Sequence, residues 1–234
     1  MSRVRPVIAI DGPSGVGKST LAGRLAHALD FTKLDTGAMY RALALKALES
    51  DMDFEHEGPL FALAGSTKIV LEPMTHTTRV LVDGRDVTHR LREPDVTQAA
   101  SRVSVHPKVR EWMVARQRAL GMNGGVVMEG RDIGTVVFPD AEVKFFLEAS
   151  EEARSERRYL QESQKNNAAP QSESEVRSAI RDRDARDRGR AASPLVAAED
   201  AILLDTTALN LEEVFARSLQ IIGSRFPHLP VREL

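Results

Sequence analysis

Eight consecutive residues, Gly12-Pro13-Ser14-Gly15-Val16-Gly17-Lys18-Ser19, constrain this chain more than any other stretch. They follow the pattern Gly-x-x-x-x-Gly-Lys-Ser/Thr. An unbroken apolar run, Val7 to Ile10, precedes them, and Leu21, Ala22, Leu25, Ala26 and Leu29 recur at helical spacing after them. A short apolar run bounded by a turn is the pattern of a strand buried on both faces of a parallel sheet, so the unit reads strand, loop, helix. In that setting glycines let successive backbone N–H groups turn inward around phosphate oxygens, and the helix N-terminus adds about half a positive charge. Lys18 would then reach the β and γ phosphates of a nucleoside triphosphate, and Ser19 would offer its hydroxyl to a Mg²⁺ ion bridging them. Gly12 to Ser19, with Thr20, form the candidate ATP site, and Ser19 is the candidate metal ligand. An ordinary Gly-rich turn would carry no such chemistry, and the flanking strand and helix argue against that reading.

The rest of the chain alternates in the same way. Ala38 to Leu48 reads as a second helix, entered through Leu34-Asp35-Thr36-Gly37. Between residues 67 and 88 the rhythm changes to strands: Lys68 to Leu71 and Arg79 to Val82 flank a polar turn, and Asp83-Gly84 is a hairpin signal. Helices follow over about 95–105 and 107–120, with Pro107 suited to a first helical turn. Apolar runs at 126–128, 143–147 and 201–204 then alternate with helices near 151–162 and 173–190, and a last helix over 211–226 breaks at Pro227. Strands alternating with helices imply an α/β fold with a parallel, doubly wound sheet. The 67–88 hairpin looks like a small antiparallel insertion, and the polar stretch Gln164 to Ser172 like a mobile loop.

Composition narrows the function classes. The 234 residues carry 32 basic and 34 acidic side chains, a net charge of −2, which excludes a protein that coats nucleic acid through a basic surface. With no Cys there are no disulfides, thiolate metal sites or cysteine nucleophiles. No apolar run reaches 18 residues, and the run after Met1 is too short for a signal peptide, so the expectation is a cytoplasmic protein without a membrane partner. Only seven of the basic residues are Lys, leaving 25 Arg, an excess that needs a reason.

Four constellations lie outside the phosphate loop. They are Leu34 to Arg41; Glu129 to Val136, just past an apolar strand where open α/β sheets bind ligands; Ser101 with Arg110; and Arg181 to Arg190, in which Arg183, Asp187 and Arg190 share one helical face. Each has a plainer reading. Arg41 could be a solvated helix residue, Arg131-Asp132 a self-satisfied pair, and the 181–190 run an exposed, salt-bridged face. Tyr40 reads as packing. The chain lacks the Asn-Lys-x-Asp of guanine-binding switches. Ile202-Leu203-Leu204-Asp205-Thr206 also lacks the Glu that follows Asp in motor and AAA-type ATPases. The remaining residues fit a small-molecule kinase.

Taken together, Asp11 to Lys18, Leu34 to Arg41, Gly130 to Pro139 and Arg183 to Arg190 resemble the bacterial-type cytidylate kinases, over about residues 6–223. The resemblance implies one P-loop kinase domain over 1–234. Its core would span about 6–66, 89–155 and 173–226, with a nucleoside-monophosphate-binding insertion at about 67–88 with flanking helices and a short helical lid at about 156–172. It implies transfer of the ATP γ-phosphoryl group to CMP or dCMP with Mg²⁺, by a monomer. Another P-loop nucleotide or small-molecule kinase is the alternative, and a nucleotide-dependent regulatory module is a rival from a different class. By position, Arg41 and Arg131 would clamp the CMP phosphate. Ser101, Arg110 and Asp132 would read cytosine, Arg183 and Asp187 the sugar, and Arg190 would complete the cleft. Thr36 stands where some members have Ser. Lys18, Arg131, Arg157 and Arg158 are the implied catalytic cations, the last two swinging from the base of the lid, and the role of Glu129 stays open.

Overall fold

The computed structural model describes residues 3–74, 78–163 and 172–232. The chain begins with β1 (Val7–Asp11), α1 (Lys18–Leu29), β2 (Thr32–Asp35), α2 (Thr36–Glu49) and α3 (Glu57–Ser66). Three short strands follow, β3 (Ile69–Pro73), β4 (Thr78–Val82) and β5 (Arg85–Asp86), then α4 (Pro94–Val103) and α5 (Pro107–Gly121). The remainder is β6 (Val126–Glu129), β7 (Val143–Glu148), α6 (Glu151–Ser163), α7 (Glu173–Gly189), β8 (Ile202–Asp205) and α8 (Leu211–Arg225).

Five strands form one parallel sheet in the order β2-β6-β1-β7-β8. Alternation along β1 explains its central place. Ile8 and Ile10 face Leu25, Val127, Phe145 and Phe215 under α1 and α8, while Val7 and Ala9 face Leu34, Met128 and Ile133 on the other side. Both faces are dry, as the unbroken apolar run required. The sheet order puts the carboxyl ends of β1 and β6 side by side, so the loops after Asp11 and after Glu129 emerge together at the switch point of the sheet.

The expected antiparallel insertion is a three-stranded sheet, β3-β4-β5, packed through Val80, Val82, Val87 and Leu91 onto Ala38, Ala42 and Leu45 of α2. Asp83 and Gly84 form its two-residue hairpin with φ of 51° and 86°, the left-handed pair that such a turn demands. The polar turn between β3 and β4 includes 75–77, outside the described residues. Of the expected lid, 156–163 are the later turns of α6 and 164–171 lie outside the described residues.

Several elements differ from the sequence reading. β2, α3 and β5 were not foreseen; Thr32 to Asp35 has a single apolar residue, Leu34, and β5 is two residues long. Helix α2 starts at Thr36 rather than Ala38, since the Asp35 carboxylate accepts the Ala38 N–H at 3.0 Å and caps it there. Past β6, Ile133–Val137 winds into a wide helical turn. Its first two N–H groups, from Ile133 and Gly134, donate to the two oxygens of Asp11 at 2.9 and 2.7 Å. Burial pushes the Asp11 carboxyl up to about 6, against the pull of these two N–H bonds.

Asp11 thus ties the end of β1 to the turn after β6. An amide at this position can accept from only one of the two N–H groups and points its own NH₂ at the other. Asp11→Asn should therefore lower the unfolding free energy by about 1–3 kcal/mol in urea denaturation, and an unchanged midpoint would contradict the assignment.

Candidate active site

The phosphate loop runs from the end of β1 to the start of α1. Gly12, with φ of 147°, passes so close to β7 that a Cβ there would stand 2.4 Å from Leu147 O, so no side chain fits. Gly17 precedes α1 without any side-chain cap, which leaves the first-turn N–H groups free of a competing side-chain acceptor. Buried Lys18 reaches back over the loop, its Nζ donating to Gly12 O at 2.8 Å and Pro13 O at 2.6 Å. Ser19 Oγ donates to Glu129 Oε2 at 2.7 Å, and Lys33 Nζ lies 2.8 Å from Ser19 O and 3.5 Å from Glu129 Oε1. Burial, then the Asp35 charge, raise the Glu129 carboxyl above the ordinary range.

Opposite the loop, arginines are held by aspartates. Arg41, one turn into α2, pairs with Asp35 at 2.7 Å, and a Cβ on Gly37 would stand 2.9 Å from its Nη1. Arg131 Nε donates to Asp187 Oδ2 at 2.7 Å, and Arg190 Nη1 lies 3.7 Å from the other oxygen of Asp187. Arg110 and Asp132 form an ion pair with side chains 4% and 7% exposed, and Arg110 Nη1 also donates to Ser104 O at 3.0 Å. The Tyr40 ring lies 5.5 Å from the Arg110 guanidinium carbon. The Thr36 hydroxyl donates to Glu129 O at 2.8 Å and helps fix the strand end. Among the described residues, Ser101 Oγ, Tyr40 OH and Arg190 Nη2 are buried without hydrogen-bond partners, although they lie beside a cleft.

That cleft encloses about 500 Å³ and is lined both by the phosphate loop and by the Arg110–Asp132 pair. Its electrostatics follow from crowding like charges in a desolvated space. Burial, with Arg131 next in weight, holds the Lys18 amine well below its usual range. Arg183 is pushed down to about 9 by burial and then by Arg131. Both would regain favourable surroundings beside phosphate oxygens.

The cytidylate kinase family model matches residues 8–224. The chain belongs to the cytidylate kinase family. It is 48% identical to the cytidylate kinase of Syntrophotalea carbinolica over 94% of this chain and 92% of that one. It is 49% identical to that of Geobacillus kaustophilus, over 93% and 96%. A solved structure of an uncharacterized protein from Eubacterium ventriosum shares the fold at a TM-score of 0.51 and 12% identity, covering 94% of this chain and 99% of that one.

In this cytidylate kinase family member the cleft is lined by Ser14 to Thr20, Thr36, Arg41, Ser101, Arg110, Arg131, Asp132, Arg157, Arg158, Arg183, Asp187 and Arg190. Of the residues expected at the site, only Gly12 and Pro13 shape it from behind. Arg157 is turned to one wall of the cleft, where it donates to Thr206 Oγ1 at 3.1 Å and Leu209 O at 3.3 Å. Tyr40 packs as expected but also faces the cleft, and burial pushes its phenol up to about 12. Sequence reasoning gave no role to Asp35 or Lys33 and missed the wall formed by Thr206, Leu209, Asn210, Leu211 and Val214. Asp35 was readable as an N-cap ahead of the α2 pattern, and the wall's Asn210 as the N-cap of α8 with Glu213 three residues on.

Removing one member of a buried pair leaves an uncompensated charge. Arg110→Met should cost about 3–5 kcal/mol in chemical denaturation, whereas Arg102→Met, whose partner Glu55 is exposed, should cost under about 1 kcal/mol. Equal losses would show that the Arg110–Asp132 pair is not desolvated.

Proposed function

We propose that this chain phosphorylates CMP and dCMP with ATP, the CMP base lying against Arg110 and Asp132 and its phosphate between Arg41, Arg131 and Arg183. The observation carrying this reading is the buried Arg110–Asp132 pair, which lines the same cleft as the phosphate loop and as Arg41, Arg131 and Arg183. Cytosine presents a 4-amino donor beside acceptor atoms. Asp132 accepts from the amino group and Arg110 donates to the acceptors. Uracil would turn a carbonyl toward the Asp132 carboxylate, and that unpaired, repelling contact rejects it. Asp187 and Arg183 take the sugar side, and Arg190 and Ser101 supply the hydrogen-bonding atoms that lack protein partners.

No general base is required. The second pKa of a phosphate monoester is about 6, so the attacking oxygen of CMP is ionised at neutral pH. What the protein supplies is approach and charge. Arg41 and Arg131 fix the acceptor phosphate bidentately, Lys18 and the loop N–H groups hold the donor phosphates, and Arg157 and Arg158 on α6 border the space between. Ser19 and Glu129 fit Mg²⁺. Both offer oxygen, Glu129 Oε1 is buried without a hydrogen-bond partner among the described residues, and no cluster of three carboxylate or imidazole ligands occurs among those residues. Mg²⁺ in kinases commonly takes one or two protein oxygens and completes its shell with substrate phosphates and water. When bound, it would neutralise charge on the donor phosphates. The cleft is complete within one chain, which supports a functional monomer, and among the described residues no helix is long and apolar enough to cross a membrane.

A panel of CMP, dCMP, UMP, AMP and dTMP with ATP and Mg²⁺ tests the reading directly. CMP and dCMP should be the preferred acceptors, and a preference for AMP or dTMP would refute it. Lys18→Ala should nearly abolish turnover while the thermal midpoint stays close to that of the unsubstituted protein. Asp132→Asn, whose amide can donate to the uracil carbonyl, should lower the CMP-to-UMP ratio of kcat/KM by at least about tenfold; an unchanged ratio would remove Asp132 from base reading. Gly37→Ala, whose Cβ would stand 2.9 Å from Arg41 Nη1, should raise the KM for CMP by displacing that guanidinium; an unchanged KM would remove Arg41 from acceptor binding.

A further inference from the structure

A buried salt bridge outside the cleft joins two helices to the phosphate loop. Arg154 on α6 and Asp184 on α7 pair through Nη1 and Oδ2, their side chains 9% and 11% exposed, and neither lines the cleft. The pair closes on one loop residue. Ser14 N–H donates to Asp184 Oδ1 at 3.1 Å, and Ser14 O accepts from Arg154 Nη1 at 3.0 Å. Arg154 Nε also donates to Ala149 O at 3.1 Å, just past β7. The next loop residue is packed on the same arginine, for a Cβ on Gly15 would stand 3.0 Å from Arg154 O.

A buried ion pair is weak evidence for stability, because the desolvation of both charges offsets their attraction; its best-attested use is to set register. Helical spacing shows what is registered here. Arg154, Arg157 and Arg158 stand at i, i+3 and i+4 on α6, and on α7 Asp184 follows Arg183 directly and precedes Asp187 by three. The helices that carry the acceptor-side and lid-side charges are therefore pinned to the peptide that opens the donor-phosphate loop.

We propose that Arg154 and Asp184 are a positioning pair that couples the donor and acceptor sites. A shift of α7 as Arg183 and Asp187 engage the acceptor is transmitted through Asp184 to Ser14, and so to the N–H groups that hold the donor phosphates. Coupling of this kind is reciprocal, so seating the donor tightens the acceptor site by the same factor. The proposal rests on the kinase reading above.

The test is titration calorimetry of CMP with and without a non-hydrolysable ATP analogue, alongside kcat and the thermal midpoint. In the unsubstituted protein the analogue should tighten CMP at least about fivefold. The double variant Arg154→Met with Asp184→Leu removes both charges while filling the space, a replacement that proteins commonly tolerate. Its coupling factor should fall to near one and its kcat by about tenfold to a hundredfold. Arg154→Lys, which keeps the charge but loses the fork that serves Ser14, Ala149 and Asp184 together, should lose part of the coupling, and it decides the matter if the double variant fails to fold. A folded variant with unaltered coupling and kcat overturns the proposal, as does a lowered thermal midpoint with intact coupling, which marks a merely structural pair. Binding of both ligands without coupling in the unsubstituted protein overturns the positioning role alone, whereas failure to bind CMP at all sinks the kinase reading itself.

Discussion

Positive charge cannot be gathered in a desolvated cleft unless anions are brought in with it, and most of this molecule's functional architecture follows from that constraint. Arg41 is met by Asp35, Arg110 by Asp132, and Arg131 and Arg190 by Asp187. Lys18 and Arg183 have no carboxylate within ion-pair distance among the described residues, and both are held below their ordinary range. They are the cations with most to gain from phosphate. A chain with a net charge of −2 can still hold two polyanions, because the cleft lining carries eight Lys and Arg side chains against four carboxylates. The need for such pairing also gives some of the 25 Arg a reason, because a planar fork meets carboxylate and phosphate oxygens bidentately whereas a Lys ammonium acts as a point charge.

The pairing would fail without a sheet that brings distant loops together. Because β6 lies between β2 and β1, the loop after Glu129 meets the phosphate loop on one side and the start of α2 on the other. Asp11 consolidates this by bonding two N–H groups of the turn beyond Asp132. Asp132, the phosphate loop, Arg41 and Arg131 thus share one frame, and α6 and α7 attach to it through Arg154 and Asp184. Geometry that must hold reacting groups to a fraction of an ångström is better placed on such a frame than on free loops.

Much of the fold was readable from hydrophobic rhythm. The buried strands at 7–10, 126–128 and 143–147, the hairpin at Asp83-Gly84 and the long helices all carry strong local signals, and they fall where the rhythm placed them. The misses share a cause. β2 has one apolar residue in four, β5 spans two residues, and the wide turn at Ile133–Val137 is held by Asp11, far off in sequence. The Arg181 to Arg190 run is the instructive case. As a pattern it fitted an exposed, salt-bridged face, and part of it is one: Arg181 is exposed and bonds Glu151. Asp184, Asp187 and the C-capping Arg190 are buried.

What the sequence by itself determined is therefore the local chemistry: a glycine loop able to wrap phosphate ahead of Lys18 and Ser19, and the motifs whose order identifies a cytidylate kinase family member. Such signals survive in one dimension because adjacent residues carry them, through backbone angles and caps that only certain side chains permit. Only the tertiary structure decided which charges meet. Arg110 finds Asp132 across 22 residues and Ser14 finds Asp184 across 170, and no pattern along the chain encodes those choices. They are made when the sheet closes and each charge leaving water must settle against an opposite one.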